Sequence, residues 1–126
     1  MYDAVCMTET WLHPYITDGV IDPEGQYHVC SCDRPNKNGG GVCILINKRF
    51  HVINVHVMPN IEVVCVDVEC GHSRFRLSAI YKPPGYNLES NVYAVNLVNC
   101  LESLFNTATS IFVTGELTFP SIEWFN

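Results

Sequence analysis

Charge is scarce in this sequence, and what there is leans one way. Asp, Glu, Lys and Arg make up 16% of its 126 residues, only seven are Lys or Arg, and the formal net charge is −6. A broad positive face for a nucleic-acid backbone is therefore excluded, and any contact with a polyanion must be local. The basic residues occur as loose groups, Arg34 with Lys37, Lys48 with Arg49, Arg74 with Arg76, and Lys82, a distribution usual for solvated loop tips and strand ends. No apolar run reaches the roughly 18 residues of a membrane-crossing helix, and the N-terminus lacks the charged-then-apolar layout of a signal peptide. The expectation is an intracellular protein, in cytoplasm or nucleus, with no membrane partner.

Paired cysteine motifs are missing too. Seven cysteines (6, 30, 32, 43, 65, 70, 100) give an odd number with no Cys-x-x-Cys, and four of them (6, 43, 65, 100) lie inside apolar runs, where the thiol acts as a small hydrophobe. This favours a reducing compartment. Alternation along a strand would put His28, Cys30 and Cys32 on one face as soft-metal ligands, but no second ligand pair stands at a known spacing, so a structural role is preferred. Repeats, low-complexity tracts and linkers are absent as well. With 48% hydrophobic residues, the chain reads as one domain spanning 1–126.

What is present is mostly strand. Residues 3–8, Tyr27 to Cys32, "VCILI" at 42–46 and the β-branched stretch around Val52, Ile53, Val55 and Val57 each have strand length and composition. In 62–69, Val64, Val66 and Val68 alternate with Cys65, Asp67 and Glu69. "CGHS" then turns the chain into "RFRLSAIY", the clearest hairpin in the sequence. "KPPGYN" cannot extend a ladder, because proline has no N–H, so a helix is expected to begin near Asn87 or Ser90. Ala94, Leu97, Val98, Leu101, Leu104 and Phe105 form its apolar stripe. "SIFVT" at 110–114 is a last strand, ending at "GELTFPSIEW".

Three strand ends carry polar groups: Thr8-Glu9-Thr10, Tyr81-Lys82-Pro83-Pro84 and Gly115-Glu116-Leu117-Thr118. Rigid strands can aim such groups at one point from distant places in the chain. Glu9 and Glu116 together would suit a hard cation such as Mg²⁺. Glu9, Tyr81 and Glu116 also have ordinary explanations, as a helix start, a half-buried strand residue and a solvated turn carboxylate respectively.

Four segments, "DAVCMTETWLHP", "CDRPNKNGGGVCILI", "AIYKPPG" and "IFVTGELTFPSIEW", resemble in order and context the endonuclease/exonuclease/phosphatase family. They are most similar to the apurinic-type endonuclease domain of non-LTR (LINE-like) retrotransposons. The resemblance implies a four-layer α/β sandwich, two mainly antiparallel sheets with helices outside, here in partial form, and a phosphodiester hydrolase that nicks DNA with Mg²⁺ or Mn²⁺. It assigns Glu9 as the metal-binding glutamate and Tyr81 as the tyrosine that helps hold the scissile phosphate. Glu116 takes the place of the aspartate that orients or deprotonates water in a Gly-Asp-Phe-Asn motif, and Thr118 the place of its asparagine.

Departures from the family pattern shape the expectation further. "GELT" makes the carboxylate one methylene longer and replaces an amide by a hydroxyl, and a displacement of about 1 Å can cost on the order of 100-fold in rate. The family's preceding strand, with its metal-site asparagine, and its Ser-Asp-His segment have no counterpart in 1–126, and none of His13, His28, His51, His56 or His72 stands in such a motif. A truncated, catalytically impaired endonuclease domain is the leading expectation. A non-catalytic binding or remnant domain of the same fold comes second, and a phosphatase of the wider family last. Exposed sheet edges would invite a protein partner or self-association.

Overall fold

The computed structural model describes residues 2–8, 10, 21–32, 41–58, 61–82, 88–106 and 110–117. Within these, seven strands form two sheets. β1 (Ala4–Thr8), β2 (Tyr27–Cys32) and β3 (Val42–Asn47) make an antiparallel sheet in the order β1-β3-β2. β4 (His51–Met58), β5 (Val63–Cys70), β6 (Ser73–Lys82) and β7 (Ser110–Leu117) make the second in sequence order, with helix α1 (Leu88–Phe105) crossing between β6 and β7.

Period-2 alternation explains how the layers assemble. From β3, Val42, Ile44 and Ile46 face the inside of the sandwich, where they meet Val64, Val66 and Val68 of β5, Ala79 and Tyr81 of β6, and Cys30 and Cys32 of β2. Those two cysteines are thus core residues, as the preferred reading had it. Cys43 and Leu45, on the other face of β3, are buried too, which is why this central strand is apolar without interruption.

The outer face of the second sheet carries Val63, Cys65 and Ile80, packed against Leu97 and Leu104 of α1. The expected helical stripe is too wide. Leu97 and Leu104 are buried, but Val98 and Phe105 stay 51% and 52% exposed. Each follows a buried leucine by one residue, a rotation of about 100° that carries it off the contact line. The stripe that meets the sheet is Leu97, Cys100, Leu101 and Leu104.

The β5–β6 hairpin forms where expected, with Val64 opposite Ala79 and Val66 opposite Leu77, closing at Cys70 and Ser73. On its outer face Asp67 and Arg76 are cross-strand partners. The guanidinium donates from Nε to Oδ1 at 2.7 Å and from Nη2 to Oδ2 at 3.0 Å, and Nη1 reaches the Leu104 carbonyl at 3.2 Å. One side chain therefore ties the last turn of α1 to the sheet by donating to a carbonyl near the helix end.

β7 is longer than expected. It runs past Thr114 to Leu117 and pairs in parallel with β6, from Phe75 opposite Ser110 to Lys82 opposite Leu117. Glycine and a carboxylate at 115 and 116 read as a turn in isolation. Ladder pairing to Ile80 and Tyr81 keeps them in the strand. No helix among the described residues is long and apolar enough to cross a membrane.

Candidate functional site

The parallel register sets Tyr81 directly opposite Glu116. Register partners on neighbouring strands share a face, and Tyr81 faces the sandwich interior, so Glu116 points toward the other sheet. There the Thr8 hydroxyl, at the end of β1, donates to Glu116 Oε2 at 3.4 Å. Three segments far apart in sequence thus meet at one end of the sandwich. Tyr81 and Glu116 are neighbours on adjacent strands, while Glu9 and Thr118 lie outside the described residues. Glu9 is bracketed in sequence by Thr8 and by Thr10, whose Oγ1 is buried without a hydrogen-bond partner.

Gly115 makes this meeting possible. It has φ of +144°, and a Cβ placed on it would lie 1.9 Å from the Ile80 carbonyl oxygen and 2.8 Å from the Ile80 carbon and nitrogen. Those are backbone atoms that cannot move aside. Only glycine lets β7 lie this close to β6 immediately before Glu116.

Glu62 holds the other side of this corner. It sits just before β5, only 4% exposed, with a left-handed φ of 47°. Its Oε1 accepts the Gly41 N–H at 2.9 Å, and its own carbonyl accepts the Tyr81 N–H at 3.1 Å. Gly41 in turn is tight against Thr10, since a Cβ there would come within 2.8 Å of Thr10 Oγ1. Sequence reasoning named Thr8 and Gly115 only as members of polar strand ends and gave Glu62 no role. The usable signal for Glu62 was a lone acid between Ile61 and the valine run of β5, because a charge flanked on both sides by core residues is rarely idle.

Other chemistries find less support. Burial pushes the thiols of Cys6, Cys65 and Cys100 up from their ordinary value, which keeps them protonated and poorly nucleophilic. His51 and His56 belong to β4, two strands from Tyr81, and lie 4.0 Å from Glu69 and 3.7 Å from Asp67. The described arginines are occupied by carboxylates: Arg49 by Asp3, Arg74 by Glu69 at 3.0 Å, Arg76 by Asp67. No basic groove forms from them. Among the described residues no cluster of three or more His, Cys, Asp or Glu is placed to hold a metal, and what the corner offers is hard oxygen, the carboxylates of Glu116 and Glu62 and the hydroxyls near them. That donor chemistry fits a cation of the Mg²⁺ type, not a soft metal.

Solved structures give the fold an independent frame. The human Nocturnin catalytic domain with bound sulfate superposes with a TM-score of 0.65 at 17% identity, over 90% of this chain and 50% of that one. Humanized D. rerio TDP2 gives 0.64 at 10% identity, over 90% and 51%. D. rerio TDP2 complexed with a single-strand DNA product gives 0.62 at 12%, over 90% and 46%. These are endonuclease/exonuclease/phosphatase-fold proteins, and the α/β sandwich described above is of that kind. The chain spans about half the length of the structures it matches. No protein-family model and no curated protein matches the sequence.

Proposed function

We propose that the corner formed by Thr8, Tyr81 and Glu116 is the working end of a Mg²⁺-dependent phosphodiester hydrolase acting on DNA. In this reading the domain is an apurinic-type endonuclease of the non-LTR retrotransposon branch, with its water-activating position weakened. The observation that carries it is the Tyr81–Glu116 register with the Thr8 hydroxyl on Glu116, which unites three of the four motif segments. The retrotransposon assignment rests on those motifs.

The oxygen donors suit Mg²⁺, and Mn²⁺ accepts the same set; Glu9 is the residue proposed to hold the ion. Once bound, such an ion neutralises charge developing on a phosphoryl group. Tyr81 would hold a phosphate oxygen through its hydroxyl, and Glu116 would orient water and accept its proton for in-line attack. Thr118, standing for an amide, supplies fewer donors. The extra methylene of Glu116 shifts the carboxylate from the place where an aspartate would put it, which weakens the water-activating step.

The test is Mg²⁺-dependent nicking of supercoiled plasmid. The unchanged chain is expected to nick barely above background, while Glu116→Asp combined with Thr118→Asn raises the rate at least tenfold, a gain that Glu9→Ala erases. Robust nicking by the unchanged chain would overturn the weakened site, and a gain insensitive to Glu9→Ala would overturn the metal assignment. A protein contact is proposed as well, at β7. This strand ends the four-stranded sheet, and Phe112 and Val113 on it are 58% and 40% exposed. Sedimentation equilibrium checks it, a concentration-independent monomer counting against self-association.

A further inference from the structure

Glu62 is a buried charged group that the proposed chemistry does not use. Its surroundings link groups that do belong to the site. Through its carboxylate it holds the Gly41 N–H at 2.9 Å, through its carbonyl it holds the Tyr81 N–H at 3.1 Å, and Gly41 abuts the Thr10 hydroxyl. One residue therefore spans both sheets at the site end, connecting the start of β3 with the end of β6. It does so in a left-handed backbone conformation, φ 47°, that L-residues with a side chain seldom adopt. A conformation of that kind, combined with 4% exposure of a carboxylate, persists only where the surroundings over-determine it, and such positions concentrate at functional sites.

We propose that Glu62 is a positioning residue. It fixes the separation between the Gly41–Thr10 contact, next in sequence to Glu9, and Tyr81, and so sets the distance between the metal side and the phosphate side of the site. This rests on the metal-dependent reading given above. Loss of the carboxylate frees the Gly41 N–H and lets the two sides drift, whereas a glutamine keeps an oxygen that accepts the same hydrogen bond. Residues that orient metal ligands without touching the ion typically change affinity 10–100-fold when removed.

The experiment is a Mn²⁺ titration followed by the electron paramagnetic resonance signal of the free ion, with thermal unfolding recorded for every protein and titrations run where each is folded. Five proteins are compared with the unchanged chain: Glu62→Ala, Glu62→Met, Glu62→Gln, Glu9→Ala, and Val66→Ala as a core change that lowers stability away from the site. The expected result is Mn²⁺ binding by the unchanged chain that Glu9→Ala abolishes. Glu62→Ala and Glu62→Met weaken it at least tenfold, Glu62→Gln stays within about threefold, and Val66→Ala does not move it. Glu62→Met, which keeps the length of the side chain, carries the test if Glu62→Ala does not fold. Should Glu9→Ala abolish binding while Glu62→Ala and Glu62→Met retain it, Glu62 is structural only and this proposal alone fails. Affinity that merely tracks stability across all variants, Val66→Ala included, overturns it as well. If the unchanged chain shows no Glu9-dependent binding, the metal reading falls and takes this proposal with it.

Discussion

The two ends of the sandwich are built on opposite terms. At one end, Glu62 and Lys82 are charged residues less than 5% exposed, Tyr81 is nearly enclosed, and Gly115 and Gly41 occupy places where a methyl group would strike a neighbour. At the other end, Asp3 with Arg49, and Glu69 with His51, line an open cleft that includes Gly71, where an added Cβ would meet nothing within 4 Å. Both ends are rich in charge, yet only at the first are charged side chains, Glu62 and Lys82, buried. Exposed pairs cost little to make and contribute little, while a buried carboxylate is tolerated only with its partners in place. Polar residues that a fold confines against solvent mark a site better than polar residues that merely face one another across solvent.

Substitutions at the two ends should therefore separate widely. Gly115→Ala has the largest expected effect, a loss of about 3–5 kcal/mol in urea unfolding, because the new Cβ collides with the Ile80 backbone. A loss below about 1 kcal/mol would mean that β7 does not lie as close to β6 as described. Between the ends, Asp67→Asn should cost on the order of 2 kcal/mol by leaving Arg76 half-paired and partly buried. Its pH dependence sharpens the point. Arg76, by hydrogen bonding, holds the Asp67 carboxyl below its usual range against the opposing effect of burial. That contribution is present above the unfolded value of about 3.9 and disappears as pH falls through the lower folded value. Urea midpoints between pH 7 and 3 should accordingly fall less steeply in Asp67→Asn than in the unchanged chain. Smallest of all, Arg49→Ala and Arg74→Ala at the open end should each change stability by no more than about 0.5 kcal/mol. A large effect there would erase the distinction between the ends.

Local pattern made most of the strands legible. β2 spans the residues expected, and the β5–β6 hairpin has the alternation read from Val64, Val66 and Val68, because a strand buried on one face or both writes its burial into consecutive residues. The parallel partner of β6 was not legible in the same way. Gly115 and Glu116 look like a turn until Ile80 and Tyr81 lie beside them, and that neighbour comes from beyond the helix. Within the proposed site, Tyr81 and Glu116 were picked out by their motifs. Glu62 offered only the signal of a lone acid beside core residues, since its left-handed backbone and its bond to Gly41 come from tertiary packing and leave no periodic trace.

The parallel pairing of β6 with β7 also says something about when the site comes into being. The hairpin needs only a two-residue loop between Cys70 and Ser73, so Tyr81 acquires its strand from sequence-local contacts that form early and fast. Glu116 reaches its place only after α1 has crossed the sheet and a loop of the whole helix has been closed, an entropic cost that nearby contacts cannot offset in advance. The proposed water-handling residue thus arrives on a scaffold that already holds the phosphate-side tyrosine. A chain still being made would present Tyr81 well before it could present the pair.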